Sequence, residues 1–127
     1  NALAKRLLKR GLHSLQASDG ETCLAMLAKQ PVDVVVMYVK MPGMDGIEAL
    51  ARIKRRRPNI QVVLLTGHAT VEKGVEAIKQ GALEFLEKPT DISALSEIIH
   101  KAKAEKMILV EQDTEERIRE ILHEKSW

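Results

Sequence analysis

Three short apolar runs, the first two rich in β-branched residues, recur along this chain, each followed by a stretch whose apolar residues return at helical spacing. They are Val32-Asp33-Val34-Val35-Val36-Met37-Tyr38, Ile60-Gln61-Val62-Val63-Leu64-Leu65-Thr66 and the shorter Leu83-Glu84-Phe85-Leu86-Glu87. A continuous rather than alternating apolar run marks a strand buried on both faces, which requires helices above and below a parallel sheet. Residues 46–57, 71–80 and 92–103 have the spacing to supply those helices. Strand followed by helix, repeated with right-handed crossovers, predicts an α/β fold with a doubly wound parallel sheet.

Local punctuation agrees with that rhythm. Ser18-Asp19-Gly20 makes a turn and N-cap for a helix over 21–30 that stops before Pro31, Pro58-Asn59 closes the helix over 46–57, and Gln80-Gly81 ends the next. Asp91 is placed to cap the helix that starts at Ile92. Upstream, residues 2–10 alternate apolar and basic positions at helical spacing and stop at Gly11, and Leu12–Ala17 is expected to be a short strand.

At 127 residues the chain has material for one core and not two. A net charge of +2 gives no strong steering toward nucleic acid, so none is expected as a direct partner. The basic cluster Arg52, Lys54, Arg55, Arg56 and Arg57 falls at a helix end, where cations complement the negative end of the helix dipole. Cys23 is the single cysteine, which excludes an internal disulfide; its helical spacing reads as a small core residue. No apolar stretch approaches a membrane span and no signal-peptide pattern opens the chain, so a cytoplasmic location is the expectation.

Open α/β sheets do their chemistry outside the carboxyl ends of the strands. Those positions here are Tyr38, Thr66 and, just past the third run, Lys88. Tyr38 leads into Val39-Lys40-Met41-Pro42-Gly43-Met44-Asp45-Gly46, a Pro/Gly turn that opens a helix, with Asp45 as its N-cap. His68 reads as a solvent-facing loop residue, since nothing near it in sequence pairs with it. The whole pattern resembles the response-regulator receiver family over roughly residues 2–104, from Met41-Pro42-Gly43-Met44-Asp45-Gly46 to Lys88-Pro89. The spacing among Tyr38, Thr66 and Lys88 matches the family's spacing among phospho-acceptor, hydroxyl switch residue and lysine, and Phe85 falls on its aromatic switch position. The resemblance implies a flavodoxin-like receiver fold, phosphate contacts from Thr66 and Lys88, and switching through Thr66 and Phe85. It also implies Mg²⁺ in the family and a peptide bond before Pro89 that is often cis.

Two departures matter. The acceptor aspartate is replaced by Tyr38; phenols titrate near about pH 10, form no acyl phosphate and offer a metal no carboxylate. Without that carboxylate only backbone carbonyls such as that of Lys40 are left for a cation, so neither a catalytic residue nor a metal or other cofactor is expected. The family's first strand, with its acidic pair, also lacks a counterpart, because Asn1-Ala2-Leu3 already begins the first helix. The resulting gap would leave unpaired backbone groups costing about 1–3 kcal/mol each, so either a segment fills it or the natural chain extends upstream. Met107–Val110 with Glu111-Gln112-Asp113 has the look of such a strand and acidic turn. Alternatively one helix runs from residue 92 to about 125, with Met107, Val110, Thr114, Ile118 and Ile121 as a stripe and Glu115 paired with Arg119. Residues 1–104 are therefore expected to form a receiver-like domain, its first strand missing or supplied by 107–110, and residues 105–127 a helical extension or linker.

The function the resemblance implies is a regulatory module of a two-component phosphorelay, not an enzyme, that acts through contacts with a sensor histidine kinase or an output domain. The ring of Tyr38 is expected beside Thr66 and Lys88, its oxygen accepting a hydrogen bond from the lysine. Apolar residues on 71–103, among them Val71, Val75 and Ile78, and on the tail, Ile118, Ile121 and Leu122, predict a homodimer, in its extreme form domain-swapped through 107–110. Two alternatives stand beside this one: an altered version of a phospho-accepting parent with Asp at position 38, and a flavodoxin-like small-ligand binder. The last lacks any Gly-x-Gly-x-x-Gly after a strand.

Overall fold

A computed structural model describes residues 2–68, 70–88 and 91–125. The three apolar runs form parallel strands β1 (Val34–Tyr38), β2 (Gln61–Thr66) and β3 (Glu84–Glu87), paired in the order β1-β2-β3. Val35 lies opposite Val62 and Leu64 opposite Phe85, so every residue of β2 is buried between its two neighbours and the covering helices. The helices are α1 (Ala2–Lys9), α2 (Gly20–Lys29), α3 (Gly46–Arg56), α4 (Val71–Lys79) and α5 (Ile92–Lys125).

Side-chain alternation along β1 shows how the sheet is covered. Val35 and Met37 join Val62 and Leu64 in a core closed by Leu27 of α2, Leu50 and Ile53 of α3 and Ala77 of α4. Val34 and Val36 point the other way, against a cluster of Leu7, Leu12, Leu95 and Ile99 from α1, its following loop and α5. The sheet is thus wound on both faces as the continuous apolar runs require. Helix starts follow the capping signals: Asp19 accepts from Thr22 N at 2.8 Å, Asp45 from Glu48 N at 2.8 Å and Thr70 from Lys73 N at 3.2 Å. Gly46 is fixed by closeness. A Cβ there would press into the Tyr38 carbonyl and lie 2.8 Å from Val39 Cα, so only glycine lets α3 begin directly beneath the end of β1.

One expectation is overturned, and one choice left open by the sequence is decided for the continuous helix. Leu12–Ala17 is not a strand; among the described residues β1 pairs with β2 alone, and an extended segment with no ladder partner does not become a strand. Met107–Val110 lies inside α5 and not in the sheet. Residues 92–125 contain neither Gly nor Pro, so nothing interrupts the i to i−4 ladder. Two polar contacts hold the extended helix to the amino ends of the strands, Lys106 Nζ to Asp33 Oδ1 at 2.8 Å and Asn59 Nδ2 to Asp113 Oδ2 at 2.8 Å. Along α5 the apolar face also changes. Leu95, Ile99 and Ala102 face the sheet, whereas Met107, Val110, Ile118 and Ile121 form a second, exposed stripe about a quarter of a turn away at 3.6 residues per turn.

Candidate functional site

The pairing register brings the ends of three strands together. Tyr38 lies opposite Leu65, Thr66 opposite Glu87, and Lys88 N donates to the Thr66 carbonyl at 2.7 Å. Tyr38, Thr66 and Lys88 therefore gather at one end of the sheet, as their spacing implied. Lys88 Nζ sits over the Tyr38 ring, 3.9 Å from its centroid. The lysine thus meets the face of the ring, not the phenol oxygen expected as its acceptor. A cation over the negative face of an aromatic ring is held by the ring quadrupole. Both side chains are exposed, Tyr38 at 44%, so water shares the contact.

Thr66 is buried, and its hydroxyl is committed to the loop after β2. It donates to the His68 carbonyl at 3.3 Å and accepts from His68 N at 3.2 Å. His68 thus serves the site through its backbone, and its exposed position agrees with the loop assignment. Phe85, half-buried in β3, packs against the larger core beneath α4. Gly74 of α4 lies over its ring, where a Cβ would be in ordinary contact, 3.4 Å from Phe85 Cδ1.

Asp45 is spent on the α3 cap, as assigned from sequence. Lys40 is exposed and lines a shallow cleft of ≈ 380 Å³ between α3 and α4, together with Asp45, Glu48, Lys73 and Glu76. Charges of both signs alternate around that cleft, which favours neither anion nor cation. Cys23 is half-buried, and burial pushes its thiol up. The Lys88–Pro89 peptide bond lies outside the described residues. Among the described residues no group of three or more His, Cys, Asp or Glu could hold a metal ion, and no helix is long and apolar enough to cross a membrane.

The strand ends thus gather a phenol ring, a buried hydroxyl and an ammonium at one end of the sheet. A profile of the response regulator receiver domain matches residues 1–100. The DNA-binding transcriptional regulator NtrC of Salmonella typhimurium is 36% identical over 100 residues, covering 79% of this chain and 21% of that protein. The response regulator protein FleR of Pseudomonas aeruginosa is 37% identical over 98 residues, 77% of this chain and 21% of its own. The chain therefore spans about a fifth of the length of these curated relatives. Among solved structures, the receiver domain of NtrX from Brucella abortus superposes with a TM-score of 0.75 at 30% identity, covering 81% of this chain and 88% of that one. The beryllofluoride-activated NtrC4 receiver domain dimer gives 0.78 at 33% identity, with 83% and 87% covered. The chain belongs to the response regulator receiver domain family.

Proposed function

We propose that this receiver domain regulates through protein contacts and does not take a phosphoryl group at position 38. The observation that supports the reading is the stacked pair: the lysine assigned to phosphate lies 3.9 Å over the centroid of the ring that replaces the acceptor. An aryl hydroxyl there cannot become an acyl phosphate, and the ring occupies the space above Lys88. Among the described residues the crevice gathers no group of three or more His, Cys, Asp or Glu for a hard cation that wants near-octahedral oxygen ligands, and Asp45 Oδ1 is engaged in the α3 cap.

The test is mass spectrometry after incubation with acetyl phosphate and Mg²⁺. No added phosphoryl group is expected on the chain as it stands. A gain lost on hydroxylamine treatment would sink the proposal. Tyr38→Asp tested in parallel decides the second reading, that the site is otherwise intact and differs from a phospho-accepting parent by this residue; labelling of that variant alone supports it.

Partners follow from the same reading. A sensor histidine kinase or the output domain of a response regulator would meet the surface of α4, β3 and α5, where Val71 is 84% exposed, Val75 50% and Ile78 53%. A second copy is the further partner, through that face or through the stripe of Met107, Val110, Ile118 and Ile121. We assign residues 1–104 to the receiver unit and 105–127 to a helical extension whose stripe belongs to no core of its own chain.

A further inference from the structure

The face that α5 turns toward the sheet continues past its last apolar contact. Leu95, Ile99 and Ala102 are buried there, and the same alternation of three and four residues runs on through Lys106, Leu109 and Asp113. All six positions therefore share one side of the helix. Beyond Ala102 that side turns polar around a half-buried Leu109, and it meets polar groups. Lys106 Nζ donates to Asp33 Oδ1 at 2.8 Å, and Asn59 Nδ2 donates to Asp113 Oδ2 at 2.8 Å.

Both receiving residues are held from behind. The Asp33 carbonyl accepts from Gln61 N at 3.1 Å, where β1 and β2 begin. Asn59 sits in a loop fixed on either side: Lys54 Nζ donates to the Pro58 carbonyl at 2.7 Å and to the Ile60 carbonyl at 3.0 Å. The buried side chain of Gln61 donates from Nε2 to the Asn59 carbonyl at 3.2 Å. The Lys106 side chain is only 22% exposed, so its short, charge-assisted bond is partly withdrawn from water. Other ion pairs of α5 are of a different kind. Lys101 with Glu84 at 4.0 Å and Arg119 with Glu115 at 3.9 Å are long and have exposed cations, and such surface pairs contribute little.

We infer that Lys106 and Asp113 form a two-point latch that holds the start of the α5 extension to the amino ends of β1 and β2, so that the helix leaves the domain from Thr114 onward as a rigid arm. One contact would let the arm pivot. Two on a common face, about 10 Å apart along the axis, set its direction and with it the direction in which the stripe of Met107, Val110, Ile118 and Ile121 points. Withdrawal of Asp33 and Asn59 releases the arm. This inference goes beyond the reading of position 38 and does not depend on it.

The experiment is amide hydrogen exchange on the full 127-residue chain and on its Asp33→Ala/Asn59→Ala variant, which leaves the sequence and intrinsic helix preference of α5 unchanged. A helical segment without tertiary contacts frays. Exchange at amides 108–113 is therefore expected to quicken about tenfold or more in the variant, with amides 96–102 and those of β2 at the parent's rates. Asp33→Lys alone should quicken the same amides, and Asp33→Lys combined with Lys106→Asp should return them toward the parent. Parent rates at 108–113 in the alanine variant overturn the inference. Should that variant lose protection throughout α5 and β2, the reversed pair decides, and failure of Lys106→Asp to slow exchange in the Asp33→Lys chain overturns it. Protection at 108–113 that grows with protein concentration and ignores the substitutions also overturns it, and assigns the contact to a second copy.

Discussion

If the ring face of Tyr38 is what holds Lys88, a double-mutant cycle should find a coupling that survives loss of the phenol oxygen. The perturbations are Tyr38→Leu, Lys88→Met and the pair, repeated with Tyr38→Phe as the starting residue. An ammonium 3.9 Å from the ring centroid is well placed, but Tyr38 is 44% exposed, so the coupling belongs at the exposed end of the range, about 0.5–1 kcal/mol. A hydrogen bond to the phenol oxygen would contribute a similar amount, about 0.5–1.5 kcal/mol. Size alone therefore does not separate the two, but the Phe series does. Phenylalanine keeps the quadrupole and discards the acceptor, so a cation–π contact keeps most of its coupling and a hydrogen bond loses it. Urea unfolding suits the measurement: with slopes of about 1–3 kcal/mol/M the coupling moves the midpoint by a few tenths molar, provided the slope is common to all variants. Coupling present with Tyr and absent with Phe would refute the ring-face contact. Absence in both would leave Lys88 energetically free and remove the main support for an occupied crevice.

Gly46→Ala should destabilise the fold by about 1–3 kcal/mol, because the new methyl meets backbone that cannot move aside. Gly67→Ala, where a Cβ meets nothing within 4 Å, should stay within about 0.5 kcal/mol of the parent in the same urea titration. Asp19 carries a carboxyl held below its ordinary value, first by the Thr22 backbone hydrogen bond. Its folded pKa being depressed, its support of α2 is present above the ordinary Asp range and is lost as pH falls through the lower, folded value; Thr22 amide shifts in an acid NMR titration should follow that loss, and Asp19→Asn should abolish the dependence. Sedimentation at tens of micromolar should find a dimer for the full chain and a monomer for a version ending at Ala104, and a monomer in both would exclude the tail stripe as the contact.

What could be read from the sequence was whatever is decided locally. β1, β2 and β3 follow from apolar runs, and the starts of α2 and α3 from Asp19 and Asp45, whose side chains bond to amides three residues on. Leu12–Ala17 failed because being a strand is a property of a pair, and no neighbour supplies the second ladder. Met107–Val110 was ambiguous for a different reason: four apolar residues suit a buried strand or a helix stripe equally. Contacts far apart in sequence, Asp33 with Lys106 and Asn59 with Asp113, accompany the helical outcome, and no window of neighbouring residues contains them.

The site divides the same way. Spacing alone places Tyr38, Thr66 and Lys88 at strand ends, but it does not say which atoms meet. β1 and β3 lie on either side of β2, about 10 Å apart at 4.7–4.9 Å per strand. Thr66, on the strand between them, is too short to reach either neighbour's side chain and turns its hydroxyl to the His68 backbone instead. Only a long side chain on one outer strand and a large one on the other can touch across that distance, which is what Lys88 and Tyr38 are. An aspartate at position 38 would leave a space between itself and Lys88 that a phosphoryl group or water fills. The phenol ring of Tyr38 spans that distance and meets the lysine.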